Sequence, residues 1–312
     1  MTQLHLNQHW KLRCLTSPQE QADVPASIAG RDVAANVPGC VHTDLLAAGL
    51  IDDPYLDRNE TAIQWIGRCD WQYSCRFDVC SDTLAHDRVD LVCEGLDTIA
   101  RIELNGQLVG ETANMHHPHR FDARKLLRVG GNELVITFRS ALEHASALEK
   151  EQGARPHVEK YPFNYIRKMA CNFGWDWGPT LITAGIWQPI YLQAWNTARI
   201  TSVRPLVRHA AGHGAVVDVV VDLENLGRRE HPLTIEAVLA FGQQTRIACR
   251  QMLAAGDTSA TLTLKVHNPR LWWPVGHGEQ PLYLVDVSLA DDDRQELDHW
   301  HGKIGLRTVR LA

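Results

Sequence analysis

The sequence predicts an all-β chain in two domains, and three observations carry that expectation. The first is strict alternation in both halves of the chain. Trp71, Tyr73, Cys75, Phe77 and Val79 interleave with Gln72, Ser74, Arg76 and Asp78, and Val217, Val219, Val221 and Leu223 repeat the pattern later. A period of two gives each strand one buried and one polar face. The second is Asn105-Gly106, set between Ile99–Leu104 and Gln107–Gly110. Both residues tolerate positive φ and so close a tight hairpin. The third is that no helix-period pattern competes beyond residue 198. At 312 residues and 35.0 kDa the chain is long for a single core, so we expect domains at 1–197 and 198–312.

In chain order, Leu4 to Leu15 reads as strand, and a loose Ala- and Pro-containing stretch follows, ending at Val37-Pro38-Gly39. Thr43 or Asp44 can cap a short apolar helix, Leu45 to Ala48, which Gly49 stops. Trp71–Val79 and the hairpin come next, then a strand on Leu134, Ile136 and Phe138. Ser140 and Glu143 match a capping box that opens a helix through Lys150, ending at Gly153. From Arg155 to Pro179 periodicity is lost, and ordered loops of that length are usually functional. Gly185 to Leu192 returns to strand and closes the first domain. The second domain alternates on Leu233, Ile235, Ala237, Leu239 and Phe241, on Leu262, Leu264 and Val266, and on Tyr283, Val285, Val287 and Leu289. About seven short strands between turns fit an immunoglobulin-like sandwich. Leu271-Trp272-Trp273-Pro274 reads as an aromatic corner that packs against the first domain or a neighbouring one. Lys303 to Arg310 reads as a final strand on which the chain stops abruptly, as though cut.

Composition narrows the function classes. A formal charge of −6 and a pI near 6.2 leave no basic surplus for a phosphate backbone, so nucleic acid is not expected as a partner. No apolar run reaches the length of a membrane span, and Met1 to Leu6 lacks the basic-then-apolar order of a signal peptide. We therefore expect a cytoplasmic protein without membrane partners. The eight cysteines contain no C-x-x-C pair and read as reduced, structural thiols. His116-His117-Pro118-His119 offers neither helical ligand spacing nor a nearby thiol pair, so no metal is expected.

The stretch with chemistry to offer is Asn172-Phe173-Gly174-Trp175-Asp176-Trp177-Gly178-Pro179. Glycine and proline shape it as a loop. Its carboxylate between two indoles suits a sugar, whose hydroxyls a carboxylate accepts in pairs and whose C–H faces cover an indole. The alternative from the same residues is structural: Trp175 and Trp177 would plug a sandwich end while Asp176 capped backbone amides.

A family resemblance rests on several motifs taken in order. They are Val37 to Leu46, Gly95-Leu96-Asp97-Thr98, Asn105-Gly106, Asn114-Met115-His116, Tyr161 to Lys168 and the Trp175-Asp176-Trp177 loop. Together they resemble the N-terminal, non-barrel region of β-mannosidases of glycoside hydrolase family two. The resemblance implies a jelly-roll (galactose-binding-like) β-sandwich, then an immunoglobulin-like β-sandwich, then a catalytic (β/α)₈ barrel after residue 312. It implies that Trp175, Asp176 and Trp177 bind substrate, with Asp176 accepting hydroxyls of a terminal mannose and the indoles walling the pocket. The partners implied are a β-mannoside or manno-oligosaccharide and the chain's own barrel; no cofactor is implied.

A barrel takes roughly 250 residues, and no alternating strand and helix pattern of that kind runs here. A retaining glycosidase needs two carboxyls about 5 Å apart. Asn59-Glu60 and Asn132-Glu133 imitate the asparagine-glutamate pair of the family's acid, but neither follows a barrel strand, so no catalytic residue is expected in these 312 residues. The reading is then the front of a retaining exo-β-mannosidase, inactive by itself. The alternatives are a stand-alone lectin-like module or another family-two specificity.

Overall fold

The computed structural model describes residues 1–16, 24–157, 160–227, 232–243, 245–254 and 256–309. It divides into two compact units, Thr2–Ala194 and Trp195–Ala312, the second also counting Met1.

The first unit holds β1 (Thr2–His5), β2 (Trp10–Cys14), β3 (Asp32–Ala35), α1 (Val41–Ala47), α2 (Asn59–Ala62), β4 (Trp71–Val79), α3 (Ser81–Leu84), β5 (Arg88–Cys93), β6 (Leu96–Asp97), β7 (Ile99–Leu104), β8 (Gln107–Ala113), β9 (His119–Asp122), β10 (Gly130–Arg139), α4 (Ala141–Gln152), β11 (Gly185–Ile186) and β12 (Ile190–Trp195). Its two main sheets run β3-β2-β4-β10-β7-β8 and β1-β12-β5-β9, and β11 pairs with β6. One core joins the inner faces: Trp71, Tyr73 and Cys75 of β4 and Ile136 and Phe138 of β10 share it with Val89 and Leu91 of β5 and Leu192 of β12. This is the expected jelly-roll sandwich. The hairpin turns at Asn105, φ 53°, and Gly106, φ 77°, and Ser140 caps α4 by accepting from Glu143 N at 3.1 Å.

Two local expectations need correction. Leu4 to Leu15 is two strands in different sheets, β1 beside β12 and β2 beside β4, because the chain crosses the sandwich between them. The short helix begins at Val41, with Cys40 as its N-cap. Thr43 sits at N3, where its hydroxyl accepts from Cys40 N at 3.1 Å. Asp44 caps nothing: its carboxylate is buried, accepting from Tyr73 Oη and from Asn36 N, both at 2.8 Å. Burial pushes the Asp44 carboxyl above, and the Tyr73 phenol well above, their ordinary values.

The second unit holds β13 (Ala198–Ala211), β14 (Gly214–Asn225), β15 (Leu233–Phe241), β16 (Thr245–Leu253), β17 (Ser259–His267), β18 (Tyr283–Ala290) and β19 (Glu296–Ile304). They form sheets β13-β14-β17 and β16-β15-β18-β19, the arrangement expected of an immunoglobulin-like sandwich. The alternating residues meet as read: Val219 lies opposite Leu262 and Ala237 opposite Val287, and all face one core. The last strand is Glu296–Ile304, not Lys303 to Arg310; Arg310 itself lies outside the described residues. The chain leaves the sheet at Gly305, where a Cβ would stand 2.6 Å from Trp272, and Trp272 N then donates to Leu306 O at 3.1 Å. Inside its own unit the aromatic corner also meets Arg307, whose guanidinium stands 3.8 Å above the Trp273 ring.

None of the eight cysteines is joined in a disulfide. Among the described residues, no group of three or more His, Cys, Asp or Glu could hold a metal, and no helix is long and apolar enough to cross a membrane.

Candidate functional site

The Trp175-Asp176-Trp177 loop hangs between two buried feet. Phe173 and Ile182 share a small apolar cluster with Ala141 and Leu142 of α4. A 3₁₀ turn, Ala170–Phe173, delivers the chain to Gly174, whose φ of 114° suits glycine alone. Trp175 and Gly178 then pair as an isolated antiparallel bridge, with Gly178 N donating to Trp175 O at 3.5 Å, so Asp176 and Trp177 form the tip. Relative exposure is 42% at Trp175 and 73% at Trp177, and Asp176 is exposed as well. Among the described residues no hydrogen bond or ion pair occupies the Asp176 carboxylate. Within the described residues of the first unit, the indoles do not plug a sandwich end and the Asp176 carboxylate caps no amide. Within this chain the loop tip therefore presents two indoles and a carboxylate that no described residue covers.

Below the loop lies a buried charge pair. Lys168 Nζ reaches both oxygens of Asp97 at 2.5 Å, and donates to Thr183 Oγ1 at 2.9 Å and Thr183 O at 3.0 Å. The Thr183 hydroxyl donates to Asp97 at 2.6 Å, and the Thr98 hydroxyl donates to it as well. Side-chain exposure of the pair is 0% for Lys168 and 3% for Asp97. Burial pulls the Lys168 ammonium below its ordinary value, opposed by the Asp97 carboxylate. Since Asp97 lies on β6 and Thr183 just before β11, the pair ties both sides of the loop to the sandwich. His42 of α1 stands in the field of the same pair: burial, then the Lys168 charge, lower its pKa to about 4, and its Nδ1 has no partner among the described residues.

A second tie involves Glu60, from the Asn59-Glu60 dipeptide. Its carboxylate accepts from Thr180 N at 2.6 Å, while Gln64 Nε2 donates to Thr180 O at 2.9 Å. Asn132 and Glu133 do unrelated work: Asn132 is buried and bonds the Arg128 and Gly130 carbonyls, and Glu133 pairs with Arg76. Asp97, Thr183 and Glu60 were not expected at the site. A carboxylate next to Leu96 in an otherwise apolar strand was the available signal for Asp97. Nothing local marks Glu60, whose partner is 120 residues away.

The domain described as glycosyl hydrolase 2 galactose-binding domain-like matches residues 10–188, and that of the glycosyl hydrolases family 2 matches residues 198–307. The chain belongs to glycosyl hydrolase family 2. Within this family it is 33% identical over 319 residues to β-mannosidase B of Thermothelomyces thermophilus, covering 98% of this chain and 34% of that protein. It is 29% identical to the β-mannosidase of Rattus norvegicus, over 90% of this chain and 33% of that one. Among solved structures, the β-D-mannosidase of Dictyoglomus thermophilum superposes with a TM-score of 0.89 at 33% identity, covering all of this chain and 37% of that one. A putative β-galactosidase from Bacteroides fragilis, at 18% identity and a TM-score of 0.66, shares the fold. The family-two chain thus spans about a third of the length of the curated relatives it matches.

Proposed function

We propose that this chain is the N-terminal part of a retaining exo-β-mannosidase that removes terminal non-reducing β-D-mannose residues. Residues 1–197 supply the substrate loop and 198–312 the immunoglobulin-like scaffold, while a (β/α)₈ barrel following residue 312 carries the catalytic glutamates. One carboxylate there would form the mannosyl-enzyme and the other act as acid and then base. Trp175 and Trp177 wall the terminal sugar and Asp176 accepts its hydroxyls.

The observation that supports it most is the loop itself. It stands on buried feet yet presents two tryptophans and a carboxylate outward from this chain, the composition of a surface that packs on a sugar or on the proposed barrel around it. Likeness over the whole chain to proteins named β-mannosidase supports the choice of sugar. The test is hydrolysis of an aryl β-mannoside by the purified 312-residue chain and by the longer gene product. The chain alone should be inactive, and the longer product should release β-mannose with retention. Turnover by the 312-residue chain would contradict the assignment.

A further inference from the structure

The geometry points to Glu60 as a positioning residue for the Trp175-Asp176-Trp177 loop, acting through the backbone of Thr180; this rests on the loop reading proposed above. The Thr180 N–H is held by the Glu60 carboxylate at 2.6 Å and its carbonyl by the Gln64 amide at 2.9 Å, so both polar groups of one loop residue are clasped by side chains of the 60–64 segment. Gln64 also donates to Glu60 O at 2.9 Å, which locks the two jaws together. The clasp is rooted in the core: Ile63, Trp65 and Ile66, on either side of Gln64, are all buried. A hydrogen bond from an amide to a carboxylate is stronger than one between neutral groups, and this one is three residues from the exposed tip.

The bond fixes the descending side of the loop at Thr180, closer to the tip than the Thr183 contacts to Lys168 and Asp97 and the buried Ile182. The ascending side is held by the 3₁₀ turn and by Lys168 on Asp97. Without Glu60 the tip would pivot about Phe173, moving Asp176 and Trp177 and leaving the sandwich core intact. Glu60 touches no sugar in this scheme. It keeps the acceptor and the indole wall within the tolerance that recognition needs, where a shift of about 1 Å can cost on the order of a hundredfold in rate.

Two readouts test it. In the 312-residue chain, Glu60→Ala should speed hydrogen exchange of the peptide spanning residues 174–182 by about tenfold, with exchange in β4 and β10 unchanged. Glu60→Gln, whose amide oxygen still accepts from Thr180 N, should stay near wild type. In the longer protein, Glu60→Ala should raise KM for an aryl β-mannoside about tenfold or more, with a smaller fall in kcat, and Glu60→Gln should restore most of it. Asp176→Ala is assayed alongside. If it impairs turnover while Glu60→Ala leaves KM and loop exchange unchanged, the positioning role is overturned and the loop reading stands. If Asp176→Ala has no effect, the loop reading fails and this inference with it.

Discussion

A buried histidine and a buried ion pair make residue-level predictions that need no substrate. The pKa of His42 falls from the ordinary 6.5 to about 4 in the folded chain. The unfolded state therefore binds more protons between those values, and stability present above pH 6.5 is lost as the pH falls toward 4. Converted, the shift is worth about 3 kcal/mol. Asp44 works in the opposite sense: burial raises its folded pKa, so its contribution improves on acidification. Urea melts from pH 7 to 4 should show wild type losing stability relative to His42→Leu, and parallel curves would refute the assignment. Lys168 provides a second test. Removing one member of a buried pair leaves the other charge without compensation and costs about 3–5 kcal/mol, whereas replacing both by apolar groups costs less. Lys168→Met should therefore destabilise more than Lys168→Met with Asp97→Leu, and simple additivity would argue against the pair.

The loop is an element with two anchors, and its close approaches can be probed without touching the tip. A Cβ on Gly67 would stand 2.9 Å from Cβ of Ile182, the foot of the descending side. Neither atom lies at a flexible end, so Gly67→Ala should cost about 1–3 kcal/mol in denaturant melts and loosen exchange at residues 174–182; an unchanged midpoint would show that the contact yields freely. At this scale the sequence was most legible where the physics is local. Alternation placed β4, β10, β14, β17 and β18, Asn105-Gly106 placed its hairpin, and Ser140 placed α4. Legibility failed where partners are distant. Asp44 has the spacing of a helix cap, but burial beside Tyr73 gave it another role. The run from Leu4 to Leu15 conceals the switch between sheets, because alternation fixes a face and not a neighbour. Glu60 looked like a misplaced catalytic dipeptide, since its use depends on a residue brought near only by the fold.

At the scale of the whole molecule, two family-two domains account for residues 10–188 and 198–307, and the chain spans about a third of its β-mannosidase relatives. Motif likeness made the family legible from sequence. The solvent-facing pose of Trp175, Asp176 and Trp177 was not, because the same residues could equally have been buried. In the account proposed here, activity belongs to a longer product in which this loop contributes one wall of the sugar pocket. The most direct test is the turnover of aryl β-mannoside, β-galactoside and β-glucuronide by that longer protein, wild type and Asp176→Ala, with melting temperatures recorded. The account predicts turnover of the β-mannoside alone. It also predicts a loss of about a hundredfold or more in kcat/KM on replacing Asp176, with an unchanged melting temperature because within the two sandwiches the side chain is exposed and bonds to no described residue. Wild-type turnover of the β-mannoside by Asp176→Ala would contradict it.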